Sequence, residues 1–121
     1  KVAIRRAINF YSWYINYRIQ NDSKPLKHVV IDQNASVHMR SEAANSMDEY
    51  DVFLASKEFD KKMNVEIQPE KVEANRISLK INVHGAINYS FHADMIIQKG
   101  YWCIDLVVPD EDLNPALMEN E

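Results

Sequence analysis

The hydrophobic and polar residues of this chain follow two different periods, one in its first half and another in its second. Up to about residue 60, apolar residues recur three and four positions apart, which is the spacing of an amphipathic helix. From Met63 onward apolar and polar residues alternate, which is the pattern of half-buried antiparallel strands. This order predicts an α+β fold, with N-terminal helices packed on a curved antiparallel sheet of about four strands.

Two helices are predicted in the first half of the chain. The first covers residues 2–20, where the apolar residues form one stripe. The second begins at Ser46, because Ser46 and Glu49 have the spacing of a capping box, and it ends near Asp60. Residues 26–39 between the two helices suit either a helical turn or a short strand.

The predicted strands have turns that fix which residues face one another. A two-residue turn at positions 99–100 pairs Ile97 with Trp102 and places Trp102 in the core. Continued along the same two strands, this register sets Asp94 directly opposite Asp105. The strands themselves cover residues 63–68, ending at Pro69, and residues 76–83, 88–95 and 102–108.

The sheet face under the helices is predicted to be almost wholly apolar. A three-residue loop at positions 85–87 pairs Val83 with Tyr89, because a slip of one residue would turn an apolar strand face into water. We therefore expect no cavity under the sheet with an inward His, Asp or Glu, and any cavity there to be small and apolar or filled by side chains. The inward residues are Ile77, Leu79, Ile81, Phe91, Met95, Trp102, Ile104 and Leu106.

The outer sheet face carries the titratable residues, among which Asp94 and Asp105 are the most notable pair. Like charges opposite one another are unfavourable, so the pair could have a raised pKa or hold a hard cation. The alternative is a solvated pair whose repulsion is relieved by Lys80 and Arg76, and the hydrated open face favours it. The histidines and Cys103 lack the compact spacing of a zinc site, so no metal, cofactor or catalytic residue is predicted.

An aromatic run in the first helix, Phe10-Tyr11-Ser12-Trp13-Tyr14, supplies further candidates. These rings either belong to the core, or Tyr11, Trp13 and Tyr14 line a ligand pocket or a partner surface. Asp51 is also a candidate, because a carboxylate within an apolar segment needs a partner. We expect it to accept a hydrogen bond from a backbone amide or an aromatic hydroxyl and so to fix the second helix against the first.

Length, net charge and residue composition limit the kinds of protein this chain can be and the partners it can bind. A length of 121 residues fits a single domain, 1–121. The net charge of −4 argues against nucleic-acid binding, which requires a basic face. No apolar run approaches the roughly 20 residues of a transmembrane helix. The single cysteine excludes an internal disulfide.

Three segments together resemble a known family. Residues 10–14, the segment Tyr50-Asp51-Val52-Phe53-Leu54 and the segment Gly100-Tyr101-Trp102-Cys103-Ile104-Asp105 are similar to motifs of the DUF3828 family of bacterial secreted proteins and lipoproteins. The resemblance implies an NTF2-like cone formed by residues 1–121 and an extracytoplasmic setting, either periplasmic or lipoprotein-anchored. None of the three motifs is a catalytic signature.

These observations predict a non-catalytic, extracytoplasmic binding or interaction domain for a small molecule or a protein partner, and they leave a homodimer open. The candidate contact residues are Tyr11, Trp13, Tyr14, Asp51, Asp94 and Asp105. Two alternatives stand beside this interpretation. One is a small NTF2-like enzyme of the isomerase or hydrolase type. The other is an immunity-type protein that blocks a partner protein through its acidic tail and the face of Asp94 and Asp105.

Overall fold

Helices come first and a sheet second in the computed structural model, which describes residues 2–20, 28–46, 50–56, 59 and 61–110. The helices are α1 (Val2–Gln20), α2 (Val29–Asn34) and α3 (Val37–Ser46), and the strands are β1 (Asn64–Val72), β2 (Arg76–His84), β3 (Tyr89–Gln98) and β4 (Tyr101–Pro109). The strands form a curved antiparallel sheet in the order β1-β2-β3-β4. The predicted α+β fold is therefore confirmed. None of the described helices is long and apolar enough to cross a bilayer.

The first helix and the two central strands form the core as predicted. α1 covers the predicted range and buries one apolar stripe. The predicted register of β2 with β3 is confirmed, because Val83 lies opposite Tyr89 and Ile77 lies opposite Met95. Side chains with exposed fractions of at most 4% therefore line the inner sheet face: Ile77, Leu79, Ile81, Val83, Phe91, Ala93, Met95 and Ile104.

The predicted helix from Ser46 to near Asp60 is wrong where the structure describes it. α3 ends at Ser46, and residues 50–56 form a turn closed by a bridge between Asp51 and Ser56. A carboxylate that accepts nearby backbone amides offers the chain an alternative to the helix, and Asp51 does this here. Most of the remainder of the predicted helix lies outside the described residues.

The ambiguous segment before it resolves into helices rather than a strand. α2 and the start of α3 occupy its described part, with an extended residue, Ala35, between them. Ala35 forms an isolated parallel bridge with Ile104 of β4. Ser36 then caps α3, because its Oγ accepts a hydrogen bond from the amide of Met39 at 3.0 Å. This segment therefore extends the edge of the sheet beside β4.

The pairing of β3 with β4 follows the prediction near the turn and departs from it further along. Ile97 lies opposite Trp102, as predicted. A bulge then shifts the register, so that Asp94 lies opposite Leu106. The prediction that Asp94 and Asp105 are direct cross-strand neighbours is therefore wrong. An extra residue on one strand of an antiparallel pair has this effect, and Asp105 is that residue.

The bulge also inverts which residues of β4 face the helices. Leu106, predicted to point inward, is 39% exposed, whereas Val107 packs against the core. Trp102 is half-buried at the margin of the core rather than inside it, and its partner Ile97 is 44% exposed. The prediction that β4 side chains point inward is therefore wrong for Leu106, beyond the bulge. It holds only in part for Trp102, beside the turn.

The edge strand β1 is longer than predicted. Pro69 does not end it, because the strand continues to Val72 after a register shift between Pro69 and Lys71. Proline lacks the backbone donor that a central strand needs, so it is tolerated at an edge or a bulge. Both conditions hold here.

Candidate functional site

Asp51 is the centre of a buried polar network that joins the 50–56 turn to α1. The Tyr14 hydroxyl donates to Asp51 Oδ2 at 2.8 Å, and Arg18 Nη1 pairs with the same oxygen. The amides of Phe53 and Leu54 donate to Asp51 Oδ1 at 2.9 and 3.0 Å. The predicted hydrogen bonds of Asp51 are therefore confirmed, although they fix a turn, not a second helix, against α1.

Two further tyrosines anchor the same turn. Tyr11 donates to the carbonyl of Phe53, and Tyr89 donates to the carbonyl of Leu54, each at 2.8 Å. Burial raises the pKa of Tyr89 to about 12. Burial, and then the charge of Asp51, raise the pKa values of Tyr11 and Tyr14 above that of an ordinary tyrosine. These phenols therefore stay protonated and serve as hydrogen-bond donors.

The pKa of Asp51 is raised, and burial is the largest cause. The Tyr14 hydroxyl, Arg18 and the two turn amides act in the opposite direction. Tyr11, Tyr14 and Asp51 are all buried, and none of them lines the cavities described below. The structure thus places these three candidate residues in the supporting core rather than at an open site.

Trp13, the remaining aromatic candidate, lies at the margin of the core. Its ring stacks on Tyr17 with centroids 4.9 Å apart, and the His28 ring lies at the same distance. Trp13 is half-buried and packs against the core cluster. This small aromatic group therefore closes the end of α1 against the start of α2.

Asp94 and Asp105 share one arginine instead of facing each other. Arg76 Nη1 lies 2.7 Å from Asp94 Oδ2, and its Nη2 lies 3.6 Å from Asp105 Oδ2. The hydroxyls of Ser78 and Ser36 donate to Asp94 at 2.9 Å and to Asp105 at 2.7 Å. Arg76 thus relieves the repulsion, as the second interpretation of the pair expected, and both carboxylates are engaged within the chain.

A second polar cluster on the sheet surrounds His92. Its Nε2 lies 2.8 Å from Glu70 Oε1, and its Nδ1 lies 2.6 Å from Asp110 Oδ1. Lys80, predicted to relieve the Asp94 and Asp105 pair, instead lies 3.9 Å from Asp110. Across the described part of the chain, no group of three or more His, Cys, Asp or Glu side chains could hold a metal ion.

A cavity of about 410 Å³ opens beside β4, the strand at one edge of the sheet. Arg6 of α1 reaches across it, with Nε donating to the Trp102 carbonyl and Nη2 to the Gln33 carbonyl, both at 2.9 Å. Its guanidinium also lies 5.5 Å from the centroid of the Tyr101 ring. The full lining is Arg6, Asp32, Gln33, Ala35, Arg40, Gln98, Lys99, Tyr101 and Cys103.

The charge of this cavity is strongly positive. It contains Arg6, Arg40 and Lys99 but only one acid, Asp32. Arg40 Nη1 donates to the backbone carbonyl of Asp32 at 2.9 Å rather than to its carboxylate. No carboxylate among the described residues is within ion-pair distance of these three cations. The prediction of a small, apolar or filled cavity concerned the space under the sheet, whereas this charged cavity of about 410 Å³ lies at the sheet edge.

Cys103 lines this cavity, and burial outweighs Arg6 and Arg40 in setting the pKa of its thiol. Its Sγ lies 3.6 Å from the Tyr101 carbonyl. Burial raises the pKa of the thiol, whereas a reactive cysteine needs a lowered pKa to form the thiolate. The raised pKa therefore disfavours the thiolate, while the three cations of the cavity favour an anion.

A second cavity, of about 470 Å³, lies at the opposite end of β3. Its lining is mainly neutral: Tyr50, Ala55, Ser56, Ile87, Tyr89, Ser90, Pro109 and Asp110. Neither cavity was predicted, because each is lined by residues from separate elements. The bulge and the turn that bring them together leave no periodic signal in the sequence.

No family model and no curated protein matches this chain. Two solved structures do: the native and selenomethionine forms of the type VI effector–immunity complex Tae3–Tai3 from Ralstonia pickettii. The native form matches with a TM-score of 0.70 and 16% identity over 87% of this chain and 92% of that chain. The selenomethionine form matches with a TM-score of 0.65 and 16% identity over 88% and 95%. At this identity the likeness shows a shared fold.

Proposed function

We propose that this chain is an immunity-type protein, which binds a protein effector and blocks its action without being an enzyme itself. The observation that carries the proposal is the shared fold with a chain of the Tae3–Tai3 effector–immunity complex, which extends over nearly the whole length of both chains. We further propose that the chain corresponds to the immunity member of that complex. The sequence predicts this function as an alternative to a general binding domain.

The chemistry of the described residues supports binding over catalysis. Asp51, the buried carboxylate beneath the sheet, is already occupied by four donors. The tyrosines around it have raised pKa values, as does Cys103. A general base or a nucleophile needs the opposite shift for a phenol or a thiol, and it must be accessible to substrate.

Two properties implied by the family resemblance belong to the same proposal. An immunity-type protein must meet its effector in the compartment where the effector acts, so the implied extracytoplasmic setting is a proposal about location. We also propose that residues 1–121 form a single domain. The resemblance to the DUF3828 family, the homodimer and a small-molecule ligand also remain predictions.

Growth of a bacterial host tests the proposed function. A Tae3-type effector from the same genome is expressed alone and together with this chain, directed first to the cytoplasm and then to the periplasm. We expect the effector to stop growth in the compartment where it acts, and the co-expressed chain to restore growth there. A core-disrupted Leu79→Asp chain is the control and should not protect. Growth arrest that persists while the folded wild-type chain accumulates in that compartment contradicts the proposal.

A further inference from the structure

The cations of the cavity beside β4 differ from the other arginines and lysines that form ion pairs. The sequence is acidic, with a net charge of −4, yet this cavity gathers three cations around one acid. Elsewhere in the described ranges the pairs Arg18–Asp51, Lys71–Glu73, Arg76–Asp94 and Lys80–Asp110 are closed within the chain. Among the described cations outside these pairs, Arg6, Arg40 and Lys99 lie together at this one cavity, whereas Arg5 and Lys61 lie exposed elsewhere.

Backbone carbonyls orient the two arginines of the cavity without neutralising them. Arg6 is held by the carbonyls of Trp102 and Gln33, and Arg40 is held by the carbonyl of Asp32. A guanidinium has five N–H donors, so each arginine retains donors after these contacts. Two parallel N–H groups of an arginine match the two oxygens of a carboxylate. The arrangement is prepared for an anion that the described residues do not supply.

The rim of the cavity is that of a protein interface. Tyr101 is 60% exposed and lies under the Arg6 guanidinium. Val37 is 57% exposed, and its amide donates a hydrogen bond to the side chain of Gln98, which lines the cavity. Tyrosine and arginine are the residues most enriched at the energetic centres of protein interfaces, and an apolar rim excludes water from them.

We infer that this cavity receives an acidic side chain, Asp or Glu, of the protein partner, and that Arg6, Arg40 and Lys99 recognise its carboxylate. The inference rests on the proposed function and deepens it by assigning the surface and the chemistry of the contact. It moves the contact away from Asp94 and Asp105, whose carboxylates Arg76 already engages. The acidic tail that was the other predicted contact lies outside the described residues.

A charge-reversal pair tests the inference on the whole chain. Arg6 is left intact, because its two carbonyl contacts join α1 to β4 and to α2. The test variant is Arg40→Glu with Lys99→Glu. The control is Arg5→Glu with Lys61→Glu, which changes the net charge equally at two exposed positions that do not line the cavity. Thermal unfolding establishes that each variant folds, and Arg40→Gln with Lys99→Gln replaces the test pair if reversal prevents folding.

The dissociation constant for the Tae3-type effector is measured for all three proteins by calorimetry. We expect the cavity variant to bind at least about 30-fold more weakly than the wild type, because a buried charge pair loses one partner and gains repulsion. The control should stay within about threefold, as for charges at a rim. Equal losses in the two variants, or a cavity variant within threefold of the wild type, would overturn the inference while leaving the proposed function intact.

A titration with free glutarate distinguishes a carboxylate on a partner side chain from a carboxylate on a free small molecule. The wild type should bind free glutarate only in the millimolar range or more weakly, because one small acid lacks the apolar contacts of the rim. A dissociation constant for glutarate below about 10 μM would overturn the assignment to a partner side chain. So would a failure of saturating glutarate to displace any of the bound effector. A wild type that binds no effector at all is a different result, which refutes the proposed function and the inference together.

Discussion

Asp51 shows how one side chain can decide local structure. Its two oxygens accept from Tyr14 and Arg18 on α1 and from the amides of Phe53 and Leu54 in the turn. Each of these donors would be buried without a partner if the carboxylate were absent, and an unpaired buried group is costly. The residue therefore holds the 50–56 turn in place and prevents it from continuing as a helix.

Replacement of Asp51 by alanine should lower the free energy of unfolding by about 3–5 kcal/mol, the range for removing one member of a buried ion pair. The loss arises because Arg18 keeps an uncompensated charge and several donors lose their acceptor. Urea unfolding measures it, with Glu42→Ala on the exposed face of α3 as the control, which should change stability by at most about 0.5 kcal/mol. A loss below about 1 kcal/mol for Asp51→Ala would remove its structural role.

The raised pKa of Asp51 also determines whether its contribution to stability rises or falls with pH. The folded state holds the proton more tightly than the unfolded chain, so the contribution is full below the ordinary value of 3.8 and is lost as pH rises through the folded pKa. Asp51→Asn does not titrate. Across that interval the wild type should therefore lose stability relative to Asp51→Asn, as urea unfolding at several pH values would show. A relative gain with rising pH would contradict the raised pKa.

Among the elements, the strands were easier to predict than the helices. Alternation of apolar and polar residues fixed the register of β2 with β3, because any slip would expose Ile81 or Phe91 to water. The helix α3 was missed because only Met39 and Ala43 are buried along it, so its apolar period is weak. The capping pattern at Ser46 was misleading, because Ser46 is the last residue of α3 and residues 50–56 form a turn.

The bulge in β4 marks the limit of the same reasoning. Alternation cannot reveal an inserted residue when both alternatives place an apolar side chain inward, as Leu106 and Val107 do here. The bulge moves Asp105 away from its predicted position opposite Asp94. In its observed position, Asp105 contacts Arg76 and Ser36. Contacts with a distant segment, rather than the strand's own sequence, favour this arrangement.

The β3–β4 turn provides a test at the same level. Lys99 and Gly100 have φ angles of 55° and 84°, the left-handed pair that a two-residue hairpin of this type requires. A Cβ added at Gly100 would meet nothing within 4 Å, so Gly100→Ala should cost only the backbone penalty of about 1–2 kcal/mol. Gly85→Ala, at a glycine without a positive φ, should cost less than about 0.5 kcal/mol in the same thermal unfolding experiment. Equal costs would contradict the turn geometry.

Over the described part of the molecule, some charged groups are paired within the chain, and others have no partner of opposite charge. The carboxylates of Asp51, Asp94 and Asp105 are paired with arginines within the chain. The cations of the cavity beside β4 come from α1, α3 and the hairpin and lack acidic partners among the described residues. Such a site could not be predicted from the sequence, since Arg6, Arg40 and Lys99 are brought together only by the tertiary fold.

The claim that joins these observations is that the chain binds and blocks a protein effector. Calorimetric titration of the purified wild-type chain with a purified Tae3-type effector from the same genome tests it most directly. We predict saturable binding with a dissociation constant below about 1 μM, as expected for a specific and stable interface, together with loss of effector toxicity when the two are co-expressed. Absence of binding between two folded proteins at concentrations of tens of micromolar would contradict the account.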